Sequence, residues 1–141
     1  MEPQAPAPPP WIFKCYHLVS NGNKDRDVIR EWYNALDEEV QADLDVGIEF
    51  LENRPHHEWL RPRFAPLKSK VCKGLFEIRA DGASGEYRVL GSFGIARNEF
   101  TLYIGFKKER RSDYDAACRL AQKRKREVES DHTRAKRCRF P

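Results

Sequence analysis

No apolar run in this 141-residue chain approaches the roughly 20 residues that cross a bilayer. The opening MEPQAPAPPP lacks the basic and apolar regions of a secretory signal. A soluble, cytoplasmic protein with no membrane partner is therefore expected. There is no CxxC pair, and Cys15, Cys72, Cys118 and Cys138 lie far apart. Free thiols in a reducing compartment are expected, rather than a disulfide framework or a zinc site. Histidines are few, and His56 and His57 with Cys72 lack the spacing of a metal site. No metal or cofactor is called for. Internal repeats are also absent. What is present, 40% hydrophobic and 11% aromatic residues, excludes a wholly disordered chain and suits one domain.

The formal net charge of +4 hides an uneven distribution. Residues 31–53 contain Glu31, Asp37, Glu38, Glu39, Asp43, Asp45, Glu49 and Glu52, and neither lysine nor arginine. From Lys107 to Arg139 there are 13 basic residues against 6 acidic ones, a local net of +7. Such asymmetry suits a surface that meets a polyanion on one side only. It also suits two solvated helix faces of opposite sign.

Five prolines in residues 1–10 predict a disordered leader outside the core. Trp11–Val19 reads as a strand, and SNGNKD (20–25) as a break. Val28, Trp32 and Leu36, then Val40, Leu44, Ile48 and Leu51, recur at helical spacing and predict a helical hairpin over 27–36 and 38–53. Asp37, Glu38 and Glu39 suit the start of the second helix. Prolines 55, 62 and 66 make 54–70 an irregular connection. Residues 75–81, 86–93 and 99–107 predict a three-stranded antiparallel meander, and 112–129 a helix capped by Ser112 or Asp113. A loose basic tail is expected over 130–141. The fold class is α+β, in the order β-αα-βββ-α, with the meander packed on the hairpin.

Period-two alternation separates the two faces of the meander. Phe76, Ile78, Ala80, Tyr87, Val89, Phe93, Phe100, Leu102, Ile104 and Phe106 should meet the hairpin. Glu77, Arg79, Glu86, Arg88, Tyr103 and Lys107 should form an open face. Cations beside an aromatic suit single-stranded RNA, though a solvated face of Glu–Arg pairs has the same pattern. Lys68, Lys70 and Lys73 before the meander, and Lys108, Arg110 and Arg111 after it, could border the same concavity.

The segments KGLFEIRADGASGEYRVLGSF (73–93) and FTLYIGFKKERRSDYDAACRLA (100–121) resemble the RelE/HigB superfamily of bacterial toxins, in its phage-derived HigB-like branch. The resemblance covers about residues 11–125 and agrees with the element order. It implies the toxin of a type II toxin–antitoxin system, an mRNA endonuclease usually dependent on the ribosome. It further implies a small antitoxin partner, of helix-turn-helix type. By position it makes Arg88 of GEYR a phosphate contact and Arg79 its companion on the preceding strand. It also makes Lys108 a basic residue after the last strand and Tyr114 a general base. Glu77, and Gly105-Phe106 in place of a histidine, depart from the family pattern.

Metal-free RNA cleavage needs a base for the ribose 2′-hydroxyl, cations for the phosphorane and an acid for the 5′-oxygen. The candidate catalytic set is Arg79, Arg88, Lys107, Lys108 and Tyr114. The RNA-binding set is Lys68, Lys70, Lys73, Tyr103, Arg110 and Arg111. Tyr114 serves as base only if nearby cations lower its ordinary value of about 10; otherwise it packs at a helix start. Tyr103 stacks a base or fills the core. Two alternatives remain: a ParE-type toxin that poisons gyrase on the same fold, and a basic RNA-binding regulator whose KRKR (123–126) and RAKRCR (134–139) resemble a bipartite nuclear-import signal.

Overall fold

A computed structural model describes residues 10–20, 24–94 and 96–140. Most of the proline-rich leader, 1–9, lies outside the described residues. Strand β1 (Ile12–Ser20) turns back through β2 (Lys24–Asp27) into helix α1 (Val28–Asn34), followed by α2 (Glu38–Glu52). Then come β3 (Phe64–Pro66), β4 (Phe76–Gly82), β5 (Gly85–Phe93), β6 (Glu99–Lys108), α3 (Arg111–Ser130) and β7 (Ala135–Arg137). The sheet order is β2-β1-β6-β5-β4-β3, with β7 also on β1. Among the described residues only the β1–β6 pair is parallel.

The hairpin forms as its periodicity predicts. Val40, Leu44, Ile48 and Leu51 of α2 are buried against the sheet. In α1 the buried pair is Ile29 and Tyr33, with Val28, Trp32 and Leu36 half-buried beside them. Asp27 caps α1 by accepting the Arg30 amide at 2.9 Å. Asp37 makes no side-chain cap bond to α2, whose first turn carries Glu38 and Glu39 at the positive end of the helix dipole.

The meander β4–β5–β6 is antiparallel as expected, with one bulge. Leu90 pairs Ile104 while Gly91 pairs Leu102, leaving Tyr103 as the extra residue. The bulge inverts the alternation downstream. Phe100 and Leu102 meet the hairpin as predicted, but Ile104 and Phe106 turn to α3. Lys107 is carried to the hairpin side, where it pairs Tyr87 and lies over Gly85. A Cβ on Gly105 would sit 2.2 Å from the Trp32 ring, so only glycine lets α1 lie this close to β6.

Three further expectations are corrected. Residues 54–70 are not wholly irregular: β3 pairs β4, and Trp59 enters the core as an aromatic hub. The tail is not loose, since β7 pairs β1 and Phe140 stacks on Tyr33 at 4.6 Å. The cysteines are not free thiols: Cys15 joins Cys138, and Cys72 joins Cys118. The sequence separations of 123 and 46 residues hid both pairs. The cytoplasmic expectation thus loses the support it drew from free thiols. Among the described residues no helix is long and apolar enough to cross a membrane.

Candidate nucleic-acid cleft

The expected open face does not exist, because α3 lies across it. Helix α3 begins where Asp113 accepts the backbone N–H groups of Glu109 (2.9 Å) and Arg110 (2.7 Å). Asp113 is therefore the anchor of the first turn from its third position, and those amides hold its carboxyl below the ordinary range. This turn drops Tyr114 onto the sheet, edge-on to Phe106 at 5.3 Å.

The Tyr114 hydroxyl donates to Glu77 Oε2 at 2.6 Å and accepts from Arg88 Nε at 3.1 Å. Arg79 holds the other Glu77 oxygen with Nε (3.1 Å) and Nη2 (2.9 Å). Arg79 and Arg88 are direct cross-strand partners, and Glu77 sits between their like charges. Arg88 is only 3% exposed, not surface-facing. Its remaining N–H groups go to Asp81 (3.2 Å), the Tyr87 carbonyl (2.9 Å) and Glu86 (3.4 Å).

Burial pushes the Tyr114 hydroxyl up, the Glu77 bond and charge push it further, and Arg88 offsets only part, leaving it at about 12. The lowered value that a tyrosinate base requires is absent. For Arg88, burial opposes the charge, but Tyr114, Glu77 and Asp81 together hold it above its ordinary value.

Tyr114 faces a cleft of about 450 Å³ between the loop Leu67–Cys72 and the first turn of α3. Lys68, Arg111 and Asp115 line it with Leu67, Ser69 and Cys72. The structure thus brings together Arg79, Arg88, Tyr114, Lys68 and Arg111. Lys108 lies with its ammonium 5.9 Å from the centre of the Tyr114 ring. Lys70, Lys73 and Arg110 are exposed nearby but do not line the cleft. Lys107 leaves the group because of the bulge. Tyr103 leaves it too: it is 3% exposed and bonded to Ser92 at 2.8 Å, so its ring has no open face on which a base could stack.

Glu77 departs from the family pattern, and it is the centre of the cluster, between Arg79, Arg88 and Tyr114. The signal was its i, i+2 spacing to Arg79, which puts both on one strand face. The Cys72–Cys118 bond, which ties the cleft loop to α3, left no such trace. Among the described residues no group of three or more histidine, cysteine or acidic side chains could hold a metal ion.

Residues 31–126 match the family described as "Phage derived protein Gp49-like (DUF891)", running from the middle of α1 through most of α3 and including every residue of the Tyr114 cluster. No curated protein matches the chain. The match covers well over half of the sequence and agrees with the α+β architecture, so the chain belongs to the phage-derived Gp49-like family of HigB-like toxins in the RelE superfamily.

Proposed function

We propose that this protein is the toxin of a bacterial type II toxin–antitoxin pair and a metal-independent mRNA endonuclease, acting on message at the ribosome in the cytoplasm. A small helix-turn-helix antitoxin would neutralise it. The observation that carries this reading is the Tyr114 hydroxyl, held between Glu77 and Arg88 at the wall of a cation-rimmed cleft.

With a raised value, Tyr114 works as a relay. The ribose 2′-hydroxyl gives its proton to the Tyr114 oxygen as the Tyr114 proton passes to Glu77 Oε2 along the existing 2.6 Å bond. The freed 2′-oxygen attacks phosphorus, the bond to the 5′-oxygen breaks, and a 2′,3′-cyclic phosphate forms. Lys68 and Arg111 stabilise the charge on the phosphorane. Lys108 gives a proton to the departing 5′-oxygen. Arg79 and Arg88 hold the Glu77 carboxylate in line with the Tyr114 hydroxyl; neither needs to touch RNA.

Tyr114→Phe keeps the ring and removes the relay, so cleavage should fall by about 10²–10⁴-fold in a folded protein. Primer extension on cellular mRNA reads it directly as new 5′ ends within codons. Intact messages with gyrase-trapped DNA breaks would favour the ParE-like alternative.

A further inference from the structure

A second cavity, of about 480 Å³, lies at the far end of α3, between that helix and the turn joining β5 to β6. We propose that it binds a guanine base of the same RNA strand whose reacting phosphate occupies the Tyr114 cleft. This rests on the RNA-cleaving reading above.

Its floor is polar where a helix-covered sheet is ordinarily apolar. Lys14, Thr101 and Ser92 stand side by side across β1, β6 and β5, and the bulged Tyr103 adds a third hydroxyl. Ser92, Thr101 and Tyr103 are all 2–3% exposed. Burying hydroxyls is costly unless they are hydrogen-bonded. Ser92 and Tyr103 satisfy each other at 2.8 Å, and Thr101 lines the same floor beside them. Glu129 stands exposed at the rim. Tyr103 feels its charge: burial raises the phenol, and Glu129 adds to the rise.

A carboxylate beside hydroxyl donors complements one nucleobase edge in particular. Guanine presents N1–H and the 2-amino group together, which a carboxylate accepts, and O6, which takes a hydroxyl donor. Splayed single-stranded bases are read by such edge contacts.

The link to the first cleft comes from α3. Residues 111, 115, 118, 122, 125 and 129 recur every three or four positions and form one stripe. The Tyr114 cleft opens on Arg111 and Asp115, and the cavity on Lys125 and Glu129. Between them the loop crosses the helix, held by Cys72–Cys118 and by Gln122 donating to the carbonyls of Val71 and Lys73. Tyr114 and Glu129 are about 22 Å apart along the helix, a span of several nucleotides. The loop carries exposed Lys68, Lys70 and Lys73. Phosphates joining the two sites would run over them.

The test titrates the intact, oxidised protein with GMP, AMP, CMP and UMP by calorimetry, and compares Glu129→Gln and Thr101→Val. GMP should bind at least 10-fold more tightly than the other three. Glu129→Gln should weaken GMP at least 10-fold, and Thr101→Val by a smaller factor. Both variants should lose any preference for a guanine near the cut. Equal binding of all four nucleotides, or unchanged GMP affinity in Glu129→Gln, overturns the proposal. A cavity indifferent to guanine in a protein that still cuts through Tyr114 leaves the nuclease reading standing. GMP binding through Glu129 in a protein that cuts no RNA overturns the nuclease reading instead.

Discussion

Beneath α1 and α2 the sheet presents Phe13, Ile78, Val89, Phe100 and Leu102, while beneath α3 the same strands add Glu77, Arg88, Ser92 and Thr101 to a second apolar cluster that includes Leu90. Both sets are buried to the same degree, yet their energetics are opposite. Each apolar side chain on the first face contributes about 1.5–3 kcal/mol by leaving water. On the second, each buried ion loses several kcal/mol of solvation, which only good partners offset. The α3 face keeps polar groups that folding alone would replace, and those groups adjoin the two cavities.

The largest effect should come from breaking the polar face in one place. Arg88→Ala leaves Glu77 and Tyr114 buried with one partner gone, and should cost about 3–5 kcal/mol. An exposed arginine would cost well under 1 kcal/mol, so a denaturant melt separates the two pictures. Leu44→Ala on the opposite face should cost about 2–5 kcal/mol through the cavity it leaves. The sharper contrast is a combined replacement. Glu77→Leu with Arg88→Met should recover most of the stability lost in Arg88→Ala, because apolar pairs can replace buried ions at little cost. RNA cleavage should stay abolished. A combined variant as unstable as Arg88→Ala would show that the polar cluster does hold the fold together.

Those two faces were not equally legible in the sequence. Hydrophobic period gave both helices of the hairpin and all three meander strands, because burial on one side imposes a repeat. It failed at Tyr103, where one inserted residue reverses every later side chain; Ile104, Phe106 and Lys107 were read on the wrong side for that reason. Alternation also put Glu77, Arg79 and Arg88 correctly on one face. It could not say that α3 covers them, because α3 reaches them with one tyrosine from a helix that is otherwise mostly charged. The partners of Cys15 and Cys72 depended on tertiary proximity alone. Short β2, β3 and β7 were missed because each is only three or four residues long, and β2 overlaps the expected break at 20–25.

The smallest effect compares the two faces through one chemistry. Tyr33 on the hairpin side donates to Asp45 at 2.8 Å, and Tyr114 on the α3 side donates to Glu77 at 2.6 Å. Burial first, then the carboxylate's bond and charge, push each phenol to about 12. Each folded value lies above the ordinary value of 10.0, so folding favours the neutral phenol. That contribution is complete below about pH 10 and is lost as pH rises from there toward about 12. Stability measured at pH 9 and at pH 11.5 should therefore fall in the wild type, and fall less in Tyr33→Phe or Tyr114→Phe. Phenolate absorbance followed against pH should show each variant missing one late-titrating group. The two variants part company in function: Tyr33→Phe keeps RNA cleavage and Tyr114→Phe loses it. If removing Tyr114 takes away a group that titrates near pH 10, Glu77 does not hold its hydroxyl in solution, and the relay has no acceptor.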